Sequence, residues 1–160
     1  MPRHHINKKE REITDPAALE EILKRGKYAV IALCRKNEPY IVTLSCGYDA
    51  GKKALYFHTA HQGLKLEYIR ANPAACGTII EDRGYIMGEC AHGYRSVVIY
   101  GKIVEVEDLD EKKHGLDIML NQLEEQPDVV KKKSLKDDRS YTRAVILRLD
   151  IEDMTGKAGR

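Results

Sequence analysis

Residues 54–73 read Ala-Leu-Tyr-Phe-His-Thr-Ala-His-Gln-Gly-Leu-Lys-Leu-Glu-Tyr-Ile-Arg-Ala-Asn-Pro. Leu55, Tyr56 and Phe57 are strand formers. The run ends in His58 and Thr59. After Gln62-Gly63, apolar residues at Leu64, Tyr68 and Ile69 have helical spacing, which stops before Asn72-Pro73. The stretch predicts a strand, a short polar loop and a helix. A helix start behind a strand presents free backbone N–H groups to an anion. Lys65 falls in the first helical turn, where the helix dipole disfavours a cation by roughly 0.3–1 kcal/mol. A bound phosphate would remove that conflict; a solvated Lys65 would also be tolerated.

Upstream, Asp15-Pro16 is a helix start, with Asp as the cap and Pro at the first helical position. Leu19, Ile22 and Leu23 form its apolar face, and Gly26 ends it. Tyr28 to Cys34 is a continuous apolar strand, followed by a turn at Lys36 to Pro39. Tyr40 to Tyr48 alternates. Tyr40, Val42, Leu44 and Cys46 face one way, and Ile41, Thr43, Ser45 and Gly47 the other. The second face carries hydroxyls and a glycine, which suits either solvent or a ligand. Asp49 to Lys52 is a hairpin turn.

Downstream, Ala74 to Glu81 predicts a strand, followed by a loop containing Gly84, Gly88 and Gly93. Tyr94 to Glu107 predicts a long strand in which Gly101 marks a bulge or a close approach. Leu116, Met119, Leu120 and Leu123 give an amphipathic helix, capped by Asp108 or Asp110 and directed at the barrel or at a partner subunit. Lys131 to Arg139 reads as a charged, solvated connector. Arg143 to Ile151 is the last strand, and residues 152–160 form a polar tail. About six strands without βαβ alternation or a G-x-G-x-x-G motif exclude a Rossmann domain and predict a mostly antiparallel barrel with peripheral helices.

The chain has 160 residues, 42% of them hydrophobic and 32% charged, enough for one domain with a real core. Residues 1–13 are expected to be a polar arm and residues 14–160 a single domain. With 27 basic against 25 acidic side chains, charge alone does not point to nucleic acid. No apolar run approaches the ~20 residues of a membrane span. The first residues lack the apolar stretch of a secretory signal. Cys34, Cys46, Cys76 and Cys90 have no C-x-x-C spacing. They are read as reduced thiols, mostly small buried hydrophobes, in a cytoplasmic protein.

Three blocks carry a resemblance. They are Pro39 to Ser45; Phe57 to Leu66 continuing through Arg70-Ala71-Asn72-Pro73; and Tyr94-Arg95-Ser96-Val97 followed by Gly101-Lys102. In this order the chain resembles the flavin-binding split-barrel proteins related to pyridoxamine 5′-phosphate oxidase, and within them the nitroimidazole-resistance-like branch. Met154 to Lys157 is similar to that branch's Thr-Gly-Lys tail. The resemblance implies a six-stranded antiparallel split β-barrel that binds FMN.

It further implies that the backbone of Val42, Thr43, Leu44 and Ser45 runs along the flavin ring. Thr59 and Lys65, joined by Arg95, would hold the phosphate, and Ser96 would meet the flavin. His58 is expected beside the ring as a substrate contact or proton donor, or else as a hydrogen-bonded strand-end residue. The oxidase branch has an Arg-Lys pair where this chain has Leu64-Lys65, so one phosphate ligand must come from elsewhere or be missing. A homodimer with the flavin at its interface, a small electron acceptor and possible use of NAD(P)H follow from the same resemblance. Two alternatives remain. One is a non-catalytic flavin carrier or sensor. The other is a haem or metal site using His58, His61, Cys90 and His92.

Overall fold

The computed structural model describes residues 6–159. In chain order its elements are β1 (Glu12–Ile13), α1 (Pro16–Arg25), β2 (Tyr28–Arg35), β3 (Glu38–Asp49), β4 (Ala54–Thr59), α2 (Leu64–Ala71), β5 (Ala74–Ile86), β6 (Ala91–Val106), α3 (Leu109–Leu123), α4 (Pro127–Ser134), α5 (Asp138–Arg143) and β7 (Val145–Ala158). The strands run β1-β7-β4-β3-β2-β5-β6, and a β6–β7 pairing closes six of them into a ring. Every pairing is antiparallel. The expected six staves are present. The two-residue β1 is an addition, laid along β7 at Gly156 and Lys157. It comes from the expected N-terminal arm, the first five residues of which lie outside the described range.

Alternation along the strands builds the core. Leu33, Cys46, Leu55, Phe57, Ile79, Val97, Ile99, Leu147 and Leu149 fill the barrel, with Leu19, Ile22 and Leu23 of α1 at one end and Leu66, Tyr68 and Ile69 of α2 at the other. Each such side chain contributes about 1.5–3 kcal/mol by leaving water. A second cluster of Tyr56, Val106, Leu116, Met119 and Ile146 lies outside the barrel wall, under α3. The amphipathic helix therefore packs on its own barrel. Gly47 permits the contact, since a Cβ there would sit 2.7 Å from the Met119 Cα.

The local signals hold in detail. The Asp15 carboxylate accepts the Ala17 N–H at 3.0 Å, and Asp108 caps α3 by accepting the Glu111 N–H at 2.9 Å. The register slips between Tyr100 and Gly101, and a Cβ on Gly101 would lie 1.8 Å from the Asp150 carbonyl oxygen. Bulge and close approach thus occur together.

Four expectations need correction. The connector at 131–139 is folded into α4 and α5, whose helical starts are Pro127 and the Asp137 cap, the latter accepting the Ser140 N–H at 2.9 Å. The polar tail continues β7 to Ala158, because β6 and β1 satisfy its backbone whatever its side chains. The glycine loop after Glu81 is mostly a ribbon in which Asp82 pairs with Tyr94 and Tyr85 with His92. Of the four free thiols only Cys46 is fully buried, while Cys34 and Cys90 are exposed.

Candidate functional site

Between β3 and β4 the barrel is split. Their ladder runs only from Asp49 opposite Ala54 to Cys46 opposite Phe57. From Glu38 to Ser45, β3 is paired with β2 alone, so one edge of Val42, Thr43, Leu44 and Ser45 has no strand beside it among the described residues. On the far side of the split, β4 ends at His58 and Thr59, held by β7 through Ile146 and Val145. The chain then turns through residues 60–63 into α2. The split is therefore bordered by the two blocks singled out in the sequence.

Alternation sorts these residues by face. Thr59 follows Leu55 and Phe57 on the inner side and is buried, with 8% of its surface exposed. His58 follows Tyr56 on the outer side and is exposed. Extending the ladder by one pair would set Ser45 opposite His58. Partial burial, then the neighbouring charge of His61, lowers the His58 pKa below its ordinary 6.5, so the imidazole is neutral at pH 7.

Lys65 folds back over the start of its own helix, its Nζ 3.7 Å from where a Cβ on Gly63 would lie. Gly63 has φ +146°, a conformation side-chain-bearing residues rarely adopt. Among the described residues Lys65 has no carboxylate partner and the Thr59 hydroxyl has no hydrogen-bond partner. In the first turn of α2 the N–H groups of Leu64 and Lys65 have no intrahelical acceptor. An ammonium, a hydroxyl and free N–H groups form a donor set that suits a phosphate.

Ser96 shares the outer face but not the split. Cross-strand register gives the row Ser45, Tyr28, Ile80, Ser96, so Ser96 lies three strand spacings from Ser45, roughly 14 Å. Arg95 points the other way, into a network of carboxylates. Its Nε and Nη2 donate to the Glu81 carboxylate at 2.6 and 2.8 Å, and its Nη1 to Glu21 at 3.2 Å. The hydrogen bonds from Arg95 hold the Glu81 carboxyl down at about 2, against the opposing effect of burial and with help from Arg83. This network ties α1 to the sheet. The sequence shows the arginine in its block but not the two carboxylates that claim it.

The four residues of the metal alternative are not assembled. Cys90 and His92 belong to the β5–β6 ribbon, where His92 Nε2 meets Asp82 Oδ1 at 2.7 Å. Among the described residues no group of three or more His, Cys, Asp or Glu side chains is set to hold a metal.

The outer sheet face beside the split is apolar and open. Tyr28, Ile41 and Ile80 are 57%, 65% and 57% exposed. Val30, Ala32, Ile41, Cys76, Thr78 and Val98 line a shallow cavity of about 250 Å³ there. These three large apolar side chains leave an apolar patch on one face open to solvent. Helices α4 and α5 carry an exposed basic surface with Lys132, Lys133, Lys136, Arg139 and Arg143. Among the described residues no helix is long and apolar enough to cross a membrane.

Comparison with known proteins agrees with this architecture. No curated protein matches the chain. Among solved structures, the chain is similar to a candidate 5-nitroimidazole antibiotic resistance protein of Bacteroides thetaiotaomicron, with 24% identity and a TM-score of 0.74 over 92% of this chain and 86% of that one. It is also similar to an FAD-binding protein of Mesorhizobium loti (23%, 0.66, 94% and 97%) and to a flavocytochrome of Azotobacter vinelandii (16%, 0.79, 97% and 72%). At these identities the likeness is one of fold. The family model described as pyridoxamine 5′-phosphate oxidase matches residues 15–158, nearly the whole domain, and the chain belongs to that family.

Proposed function

We propose that the protein binds a flavin, as FMN, along the open edge of β3 and acts as an oxidoreductase on a small electron acceptor of the nitroaromatic kind. The observation that carries this is the pairing of an unpartnered cradle, Thr59, Lys65 and the α2 N-terminus, with an open strand edge flanked by Thr43, Ser45 and His58. A flavin, when bound, supplies the electron chemistry. The chain's own part is to neutralise the phosphate with Lys65, to donate to it from Thr59 and to lay the backbone of residues 42–45 against the ring. Neutral His58, on the same face, holds or releases a proton near the acceptor.

The solved relatives support a flavin without choosing between FMN and FAD: one is an FAD-binding protein and another a flavocytochrome. A homodimer through the apolar outer face completes the proposal. One chain keeps Ser96 three strands from Ser45, so Ser96 reaches a flavin at the split only if a second copy supplies it.

The test is the visible spectrum of the purified protein, followed by heat release and identification of the chromophore. Flavin bands and released FMN are expected, with NAD(P)H-linked reduction of a nitroaromatic. Lys65→Ala should weaken FMN binding more than tenfold by fluorescence titration; unchanged affinity removes Lys65 from the phosphate site.

A further inference from the structure

We propose that the surface formed by α4 and α5 binds the adenosine diphosphate part of a dinucleotide whose other half lies in the flavin cleft. The inference rests on the flavin reading and extends it to a second phosphate.

Residues 127–143 carry six cations, Lys131, Lys132, Lys133, Lys136, Arg139 and Arg143, against three carboxylates. The carboxylates are largely spoken for. Asp138 is bound by Lys113 at 2.6 Å, and Asp137 is used by the N–H and hydroxyl of Ser140 at 2.9 and 2.8 Å. Of the cations only Lys131 has an ion pair, to Asp117 at 2.7 Å. Lys132, Lys133, Lys136, Arg139 and Arg143 are exposed, with no carboxylate at ion-pair distance among the described residues.

This surface adjoins the cleft through the covalent chain. Arg143 ends α5 two residues before Val145, which pairs with Thr59. The joint is fixed: Lys112 Nζ donates to the carbonyls of Thr142 and Ala144, both at 2.9 Å. Leu135, Tyr141 and Ala144 pack on the cluster that holds Tyr56 and Ile146, the face His58 shares.

A ribityl phosphate ends at Lys65 and leaves these five cations without an ion-pair partner, Arg143 alone feeling a nearby carboxylate, that of Asp137. A diphosphate continuing past Thr59 meets them, and the missing partner at Leu64 is made good from α5. Two carriers share this chemistry, the flavin itself as FAD and a nicotinamide dinucleotide donor.

The experiment is calorimetric titration of the full chain with ADP, FMN, FAD and NADPH. It compares wild type with Lys133→Glu/Arg143→Glu and with the milder Lys133→Gln/Arg143→Gln, whose folding is checked by circular dichroism. Wild type should bind ADP, and the charge reversal should weaken it at least tenfold, the neutral variant by less. If FAD is the carrier, the FAD-to-FMN affinity ratio falls from above ten to near one in the reversal. If the donor is the carrier, that ratio stays put and NADPH weakens instead. ADP, FAD and NADPH binding all indifferent to the reversal would overturn the inference. ADP binding that depends on these residues in a chain that takes up neither flavin would uphold the surface and sink the flavin reading.

Discussion

His58 and Thr59 are adjacent in sequence and face opposite sides of the sheet, which divides their work. In the proposed site Thr59, inward and buried, goes with the phosphate, and His58, outward, with whatever approaches the ring. His58→Ala should therefore keep the yellow chromophore and lower nitroaromatic turnover by roughly 10²-fold, the low end for a lost general acid. Loss of colour would make it a cofactor ligand instead. Its lowered pKa predicts an inflexion below pH 6.5 in the pH–rate profile.

Arg95 gives a second prediction at this scale. The Glu81 carboxyl falls from an ordinary 4.5 to about 2 in the folded chain. Its pairing with Arg95 then stabilises fully above pH 4.5 and fades as pH drops through about 2. Glu81→Gln should cost of order 2 kcal/mol at pH 7. In urea unfolding that gap should close between pH 4.5 and 2; a gap independent of pH would mean the loss is one of packing.

Among the elements, α3 is held by a backbone approach at Gly47 and by Gln122. The Gln122 side chain accepts the Tyr48 N–H at 2.8 Å and donates to the Leu23 and Gly26 carbonyls at 2.9 and 2.6 Å. Gly47→Ala must push Met119 outward and should destabilise by about 1–3 kcal/mol in chemical denaturation; a neutral result would mean α3 is loosely seated. All six barrel strands were legible, because each has one face in the core and its alternation survives in the sequence. The ribbon beyond Glu81 and the end of β7 were not, since neither needs apolar residues where no core lies behind it. Helices α4 and α5 are too short to show a periodic face. Of the site, the cradle was legible as a spacing, Gly63-x-Lys65 behind a strand end. The destination of Arg95 was not, because its carboxylates are 14 and 74 residues away in sequence.

For the whole molecule, the proposed homodimer would use the apolar outer face. Tyr28, Ile41 and Ile80 are each more than half exposed on one sheet, and a second copy covering them would bury what a monomer leaves in water. Sedimentation equilibrium should find a dimer. Ile41→Asp/Ile80→Asp should give a folded monomer with much weakened flavin affinity, whereas an unchanged dimer would place the interface elsewhere. Strand β7 has a consequence of another kind. It pairs with β1, β4 and β6, and it is the last element in the chain. Without β7, strands β2 to β6 can pair as an open sheet with β4 and β6 as bare edges, and β1 has no partner. The far side of the split is held in place only when Val145–Asp150 reaches β4. A chain cut before residue 145 should remain colourless and prone to edge-to-edge association.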